Sequence, residues 1–269
     1  MTDPHLSLGG VDLPIGDATY LMAVMNVSPD SKNTHTVVDG AEDALMLAER
    51  YRAWGATVID VGGQSSHYDN PTVAEVEERS RVIPVVERLA AEGHLVSIDT
   101  WKPEVARAAL EAGAVMVNDT GGLANREMRS VVADAGVPVV AVYVEGDHPH
   151  DVGGFSPSED KAADIAAAFR SLLTELETDG ITEVILDPGI ALNYRGDYET
   201  YTKMQLEVIA GLGSLRSLGR PVLVPIPRKR DFHRVAAYIT LALEHRADMI
   251  RVHDVPLAAD LARLFRRAP

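Results

Sequence analysis

Short runs of apolar, often β-branched residues recur along the chain, and each is followed by a stretch with apolar positions at helical spacing. Eight such runs stand out: YLMAVMN from Tyr20, ATVIDVG from Ala56, HLVSID from His94, AVMVND from Ala114, PVVAVYV from Pro138, TEVILDP from Thr182, PVLVPI from Pro221 and DMIRVHD from Asp248. Near-continuous apolar runs of this length are expected of parallel strands covered on both faces. The intervening segments predict helices over 41–54, 73–91, 103–112, 126–135, 159–178, 198–215, 234–245 and 257–267. Gly55, Gly93, Gly113, Gly136, Gly180 and Gly219 punctuate the ends of several of them. Eight strand–helix units predict a TIM (β/α)8 barrel, a single α/β domain over 1–269. A doubly wound sheet would carry fewer strands and a glycine-rich first turn. Two connections, 31–39 and 146–157, are longer than the rest and read as insertions at the barrel mouth.

Composition narrows the class. With 25 basic and 40 acidic side chains the formal charge is −15, which opposes binding to nucleic acid or an anionic membrane surface. There is no cysteine, so disulfides, thiolate metal sites and a cysteine nucleophile are excluded. No apolar run approaches the ~18 residues of a membrane span, and the first residues lack the basic and apolar regions of a signal peptide. The expectation is a cytoplasmic protein.

In a barrel of this kind the working groups stand at the C-terminal ends of the strands. The polar residues there are Asn26, Asp60, Asp99, Asn118 with Asp119, Asp187, Arg228 with Lys229, and Arg251 with His253. Singly, each reads as readily as a cap for the next helix. Together, carboxylates and amides facing cations suit a planar heterocycle with an amidine-like edge and an anionic tail. Other features have plainer readings. Trp101 and Met116 are expected in the framework core, and Glu75, Glu77 and Glu78 on a solvated helix face. The run DHPHD from Asp147 to Asp151 holds metal-ligating residue types, but its spacing and Pro149 favour a solvated insertion.

The segments MNVSPDS, IDVGGQS, SIDTWKPEVA, VNDTGG, ILDPGI, PRK and RVHDV, in this order and spacing, resemble dihydropteroate synthase over almost the whole chain. The resemblance implies a barrel that binds 6-hydroxymethyl-7,8-dihydropterin pyrophosphate and joins its methylene carbon to p-aminobenzoate with loss of diphosphate. It places Asp99, Asn118, Asp187 and Lys229 around the pterin. It places Asn26, Arg251 and His253 at the diphosphate, with Lys229, Arg251 and His253 in catalytic roles and Asn26 beside a Mg²⁺ ion. It also implies a homodimer. Ile239, Leu241, Leu243, Leu261 and Leu264 in the last helices offer apolar surface for one, unless they pack against the barrel.

The resemblance has gaps. The first loop of that family continues PDSF with a later Asp and Gly-Gly, whereas this chain reads PDSKNTHTVVDG, with Lys32, Thr34, His35 and Thr36 in those positions. The second loop, GGESTRPG in the family, is GGQSSHYDN, so an arginine has become His67. A neutral imidazole lacks the bidentate, permanently charged grip of a guanidinium. Leu192 and Tyr194 replace an aromatic residue and a lysine; Val142, Tyr143 and Val144 replace Met-His-Met; Pro227 replaces a serine. The expectation is a divergent member that keeps the pterin and has changed its second substrate. A folate-dependent methyl transferase and a pterin-binding paralogue without turnover are the competing readings.

Overall fold

The alternating apolar runs form strands that lie side by side around one axis, in a computed structural model that describes residues 5–28, 34–67, 69–154, 156–192, 194–227 and 231–269. In chain order the elements are β1 (His5–Leu8), β2 (Val11–Pro14), β3 (Tyr20–Asn26), α1 (Ala41–Trp54), β4 (Val58–Gly62), α2 (Glu75–Ala91), β5 (Val96–Asp99) and α3 (Pro103–Glu111). They continue with β6 (Met116–Asp119), α4 (Arg126–Ala135), β7 (Val139–Val142), α5 (Lys161–Thr178), β8 (Val184–Asp187), α6 (Tyr198–Ala210), α7 (Leu212–Arg216), β9 (Leu223–Pro225), α8 (Phe232–Glu244), β10 (Met249–Val252) and α9 (Val255–Leu264).

Strands β3 to β10 are the eight expected ones, hydrogen-bonded in the order β8-β7-β6-β5-β4-β3-β10-β9. A bridge between Leu186 and Val222, with the Leu186 N–H donating to Pro221 O at 2.9 Å, brings the two ends together and closes the barrel. Strand parity then sorts the side chains. Leu21, Ala23, Met25, Ile59, Val61, Ile98, Val117, Ala141, Leu186 and Ile250 face outward into the layer under the helices. Tyr20, Met22, Val58, Met116, Val140, Ile185, Leu223 and Met249 face inward and fill the barrel.

Three details depart from the sequence expectation, and a fourth point it left open is resolved. An antiparallel hairpin, β1 with β2, precedes the barrel, its strands joined through Gly9 and Gly10. Its Leu6, Leu8 and Leu13 join the inward cluster and plug the N-terminal end. The predicted helix over 198–215 is two helices that break at Gly211, where a Cβ would stand 2.4 Å from that of Ala162, closer than atoms pack. The last helix starts earlier than expected because the Asp254 side chain caps it at Leu257 N–H, and it ends earlier, at Leu264, shortly before Arg266 takes a left-handed φ of +55°. Of the apolar residues considered for a dimer face, Ile239 and Leu243 are buried in the core, Leu241 and Leu261 pack against it, and Leu264 is exposed.

Candidate active site

The same parity that buries Met22, Val58, Met116, Ile185 and Met249 turns the polar residues two or four positions further along each strand into the barrel mouth. Asn26, Asp60, Asp99, Asn118, Asp187 and Arg251 share the inward register. Asp119 has the opposite parity and serves the chain locally: its two carboxylate oxygens accept the N–H groups of Gly121 and Leu123 at 2.8 Å each. For that residue the plainer capping role holds.

The centre of the site is Arg251, on β10. Its Nε donates to Asp60 Oδ2 at 2.6 Å and its Nη2 to Asp99 Oδ2 at 2.5 Å, so one guanidinium spans β4 and β5. Asn118 Nδ2 donates to the same Asp60 oxygen at 3.0 Å. Asp60 is fully buried, and its other oxygen, Oδ1, meets no donor among the described residues; Asn118 Oδ1 is likewise buried and unpaired among them. Two buried acceptors without donors are costly unless a ligand supplies the hydrogens. Asp187, at the end of β8, accepts the Gly189 N–H at 2.7 Å through Oδ1. Burial pushes the Asp187 carboxyl up to about 7, against the pull of that N–H and of Arg251. Burial likewise raises Asp99 to about 7 although Arg251 opposes it, with Asp60, Glu78 and Asp119 adding to the rise. Both carboxyls are therefore held near the point of ionisation at neutral pH.

Of the residues singled out from the sequence, Asp99, Asn118, Asp187 and Arg251 are brought together here. Arg251 spends Nε and Nη2 on carboxylates, so an anion at the mouth would meet its remaining amino group. Asn26 lies one strand away, where its Nδ2 donates to Thr36 Oγ1 at 2.7 Å and its carbonyl receives Val38 N–H at 3.0 Å. His253 faces His35 edge-on, with ring centroids 6.4 Å apart. Lys229 and Lys32 lie outside the described residues. Asp60 belongs to the site although the resemblance assigned it no role; its third place on β4, in phase with Val58, was the signal.

Around this centre several plain readings fail. Glu78 is not on a solvated face: it is 1% exposed and paired with Lys102 Nζ at 2.6 Å, while Thr100 Oγ1 donates to its other oxygen at 2.9 Å. Lys102 also donates to Gln64 Oε1 and to Val73 O, at 2.5 Å each, tying the segment after β4 to the start of α3. Trp101 is half-buried at the mouth rather than in the core, whereas Met116 is fully buried as expected. The DHPHD run is docked rather than solvated. His148 stacks on Trp101 at 5.8 Å, and Val152 reaches the inward cluster beside Leu192 and Tyr194. No cluster of three or more metal-ligating residues occurs among the described residues.

Leu192 and Tyr194, the two replaced positions after β8, are 6% and 8% exposed and complete the wall on the β7–β8 side. The Tyr194 hydroxyl accepts Glu145 N–H at 3.0 Å, and Tyr201 on α6 pins the segment by donating to Leu192 O at 2.6 Å. Gly189 lets this segment descend: a Cβ there would lie 1.9 Å from Tyr143 O, and its φ is +70°.

Comparison with known proteins adds an independent line. The family model described as "Pterin binding enzyme" matches residues 22–253. Dihydropteroate synthase of Bacillus subtilis is 33% identical over 93% of this chain and 88% of its own length. A probable bifunctional folylpolyglutamate synthase/dihydropteroate synthase of Halobacterium salinarum is 35% identical over 90% of this chain, which spans only 30% of that longer protein. Among solved structures, the Xanthomonas albilineans dihydropteroate synthase with 4-aminobenzoic acid superposes with a TM-score of 0.82 at 30% identity, covering 98% of each chain.

Proposed function

Because the chain belongs to the dihydropteroate synthase family of pterin-binding enzymes, we propose that it is a transferase acting on 6-hydroxymethyl-7,8-dihydropterin pyrophosphate. In this reading the bond between the methylene carbon and the bridging oxygen breaks, and its electron pair leaves with the diphosphate. The amine lone pair of p-aminobenzoate, or of another nucleophile, forms the new C–N bond, and the amine releases a proton. The observation that carries the reading is the pair of buried acceptors Asp60 Oδ1 and Asn118 Oδ1, which have no donor among the described residues, beside Asp99 and Asp187. An aminopyrimidine edge is rich in N–H donors and satisfies such a set.

Each side chain then has a task. Asp99, Asn118 and Asp187 accept from the pterin ring, and Lys229 donates to its carbonyl side. Arg251 holds Asp60 and Asp99 in place and offers its remaining amino group to the developing charge, a use of fixed donors that lowers the barrier to bond breaking. His253 and Asn26 sit where the diphosphate leaves. Asn26 has committed its amide N–H to Thr36, so its amide oxygen is the group that fits a Mg²⁺ ion, which characteristically takes few protein oxygens and completes its shell with phosphate and water. Such an ion would neutralise the leaving group. The reading further includes a homodimer in the cytoplasm; no described helix is long and apolar enough to cross a membrane.

A specific observation favours an acceptor other than p-aminobenzoate. His67 stands where the family carries arginine, and the Tyr194 hydroxyl that replaces a lysine is engaged by Glu145. Calorimetric titration with the dihydropterin pyrophosphate tests the pterin site: binding to the wild type and its loss in Asp187→Asn are expected. Diphosphate release is then followed with p-aminobenzoate and a panel of amines. Preference for 5-methyltetrahydrofolate would transfer the assignment to one-carbon chemistry, and tight pterin binding without product from any amine would leave a binding protein. If p-aminobenzoate is the acceptor, sulfonamides inhibit; turnover insensitive to them marks an altered one.

A further inference from the structure

The loss of a charged residue from the second loop raises the question of what holds that loop in place. Segment 146–152 makes an unusual set of contacts for a connection between strands. His148 lies nearly parallel to Trp101, 13° between ring planes at 5.8 Å, and His150 tilts against the same indole at 5.2 Å. The His150 backbone N–H donates to His148 Nδ1 at 3.2 Å, which fixes the two rings relative to each other. Pro149 between them is buried, and Val152 is 2% exposed within the inward cluster. The next residue's carbonyl, Gly153 O, accepts Arg195 N–H at 2.9 Å, so the segment is anchored on the β8 side as well.

From this anchored base His150 reaches across the mouth to the connection after β4. Its Nε2 is 2.9 Å from Ser65 O and its Nδ1 is 3.3 Å from Thr72 Oγ1. A neutral imidazole protonated at Nε2 satisfies both, donating to the carbonyl and accepting from the hydroxyl. The two contacts bracket His67. The other end of that connection is held by Lys102 at Val73 O.

We infer that His150 is a positioning residue that holds the connection after β4 preset over the mouth, so that Ser65, Ser66 and His67 meet the second substrate without an ordering step. The physical reason is that an imidazole contributes less per contact to an anionic partner than the arginine it replaces. A loop ordered in advance recovers affinity by removing the entropy cost of ordering it on binding. The aromatic stack on Trp101 is the fixed point from which the latch acts. This inference rests on the transferase reading for its acceptor half only.

The test compares wild type, His150→Ala and His150→Gln, whose amide reaches the Ser65 carbonyl as Nε2 does, and adds Thr72→Val. Deuterium exchange of the resting protein is read over 63–67 and 69–73, and steady-state turnover is read with p-aminobenzoate or the best amine of the panel. In His150→Ala, exchange over those residues rises, and KM for the amine rises about tenfold, a typical cost for ordering a few side chains and a short loop. kcat and pterin pyrophosphate binding stay within about twofold, because the His150 side chain's described contacts are with Ser65, Thr72, Trp101 and His148 and not with Asp99, Asn118, Asp187 or Arg251. Thr72→Val gives a smaller change, and His150→Gln restores both readouts. Unchanged exchange in His150→Ala overturns the latch whatever the acceptor. A rise in KM accompanied by a fall in kcat and in melting temperature, without rescue by glutamine, overturns it in favour of a purely structural role. Raised exchange in a protein with no turnover on any amine keeps the latch, overturns its acceptor role, and retires the transferase reading separately.

Discussion

At the scale of single residues, the site is governed by the conflict between burial and charge. Asp99 and Asp187 are raised to about 7 chiefly by burial. Since their ordinary value is about 4, folding favours the protonated form, and the stability of the unliganded protein falls as pH rises from about 4 towards 7. A pterin edge that donates N–H groups asks for the opposite state. Pterin affinity is therefore expected to fall as pH drops below about 7, by up to about tenfold per pH unit for each proton that must leave. Calorimetry in buffers of different ionisation enthalpy will show proton release on binding near pH 6. Affinity that is flat between about pH 5.5 and 8 would show that neither carboxyl changes state on binding. A second consequence concerns Gly189, whose φ of +70° and 1.9 Å clearance to Tyr143 O exclude a side chain. Gly189→Ala forces the segment carrying Leu192 and Tyr194 away from Tyr143, and a loss of several kcal/mol in urea unfolding, with loss of pterin binding, is expected.

Between elements, the buried ion pair of Lys102 and Glu78 joins α2 to the start of α3 and carries the connection after β4. Removing one partner strands a charge, so Lys102→Met is expected to cost about 3–5 kcal/mol in urea unfolding, whereas Lys102→Met with Glu78→Leu recovers most of it. Equal losses in the single and double variants would mean that the pair's other hydrogen bonds, not its charges, matter. This pair marks a boundary of what the sequence could reveal. The eight strands and their helices were legible because alternation of buried faces is local, and α1 and α4 end where their patterns and terminal glycines end. Glu78 looked like its neighbours Glu75 and Glu77 because its partner lies 24 residues away, and no periodicity encodes that. The β1–β2 hairpin, by contrast, carried a legible Gly-Gly signal between two short alternating stretches. The docking of DHPHD on Trp101 joins segments that only the closed barrel brings together.

Across the whole molecule, barrel closure puts chemistry and structural anchoring at opposite ends. The mouth collects Asp60, Asp99, Asn118, Asp187 and Arg251. At the other end the chain's two extremities are sewn together by Arg267. Its guanidinium donates to Gly16 O at 2.8 Å, to Ala18 O and Thr19 Oγ1 at 3.2 Å and to Ala247 O at 3.4 Å, while its own carbonyl accepts Thr19 N–H at 2.7 Å. The pattern had placed this residue in the last helix. Instead α9 ends at Leu264, and Arg266, at φ +55°, turns the chain so that Arg267 meets the entry to β3. Removing this guanidinium takes the Arg267 donors from Gly16 O and Ala18 O, while Ala247 O keeps the Thr19 hydroxyl at 2.7 Å. Arg267→Met is therefore expected to cost about 2 kcal/mol and to lower the melting temperature by several degrees. Pterin pyrophosphate affinity should be unchanged, since the described contacts of Arg267 are with Gly16, Ala18, Thr19 and Ala247 at the base of the barrel, away from the mouth. Calorimetry and thermal unfolding on the same preparation separate the two. A variant that melts earlier and also binds the pterin more weakly would show that strand closure at the base is transmitted along β3 and β10 to Arg251, and that the two ends of this barrel are coupled.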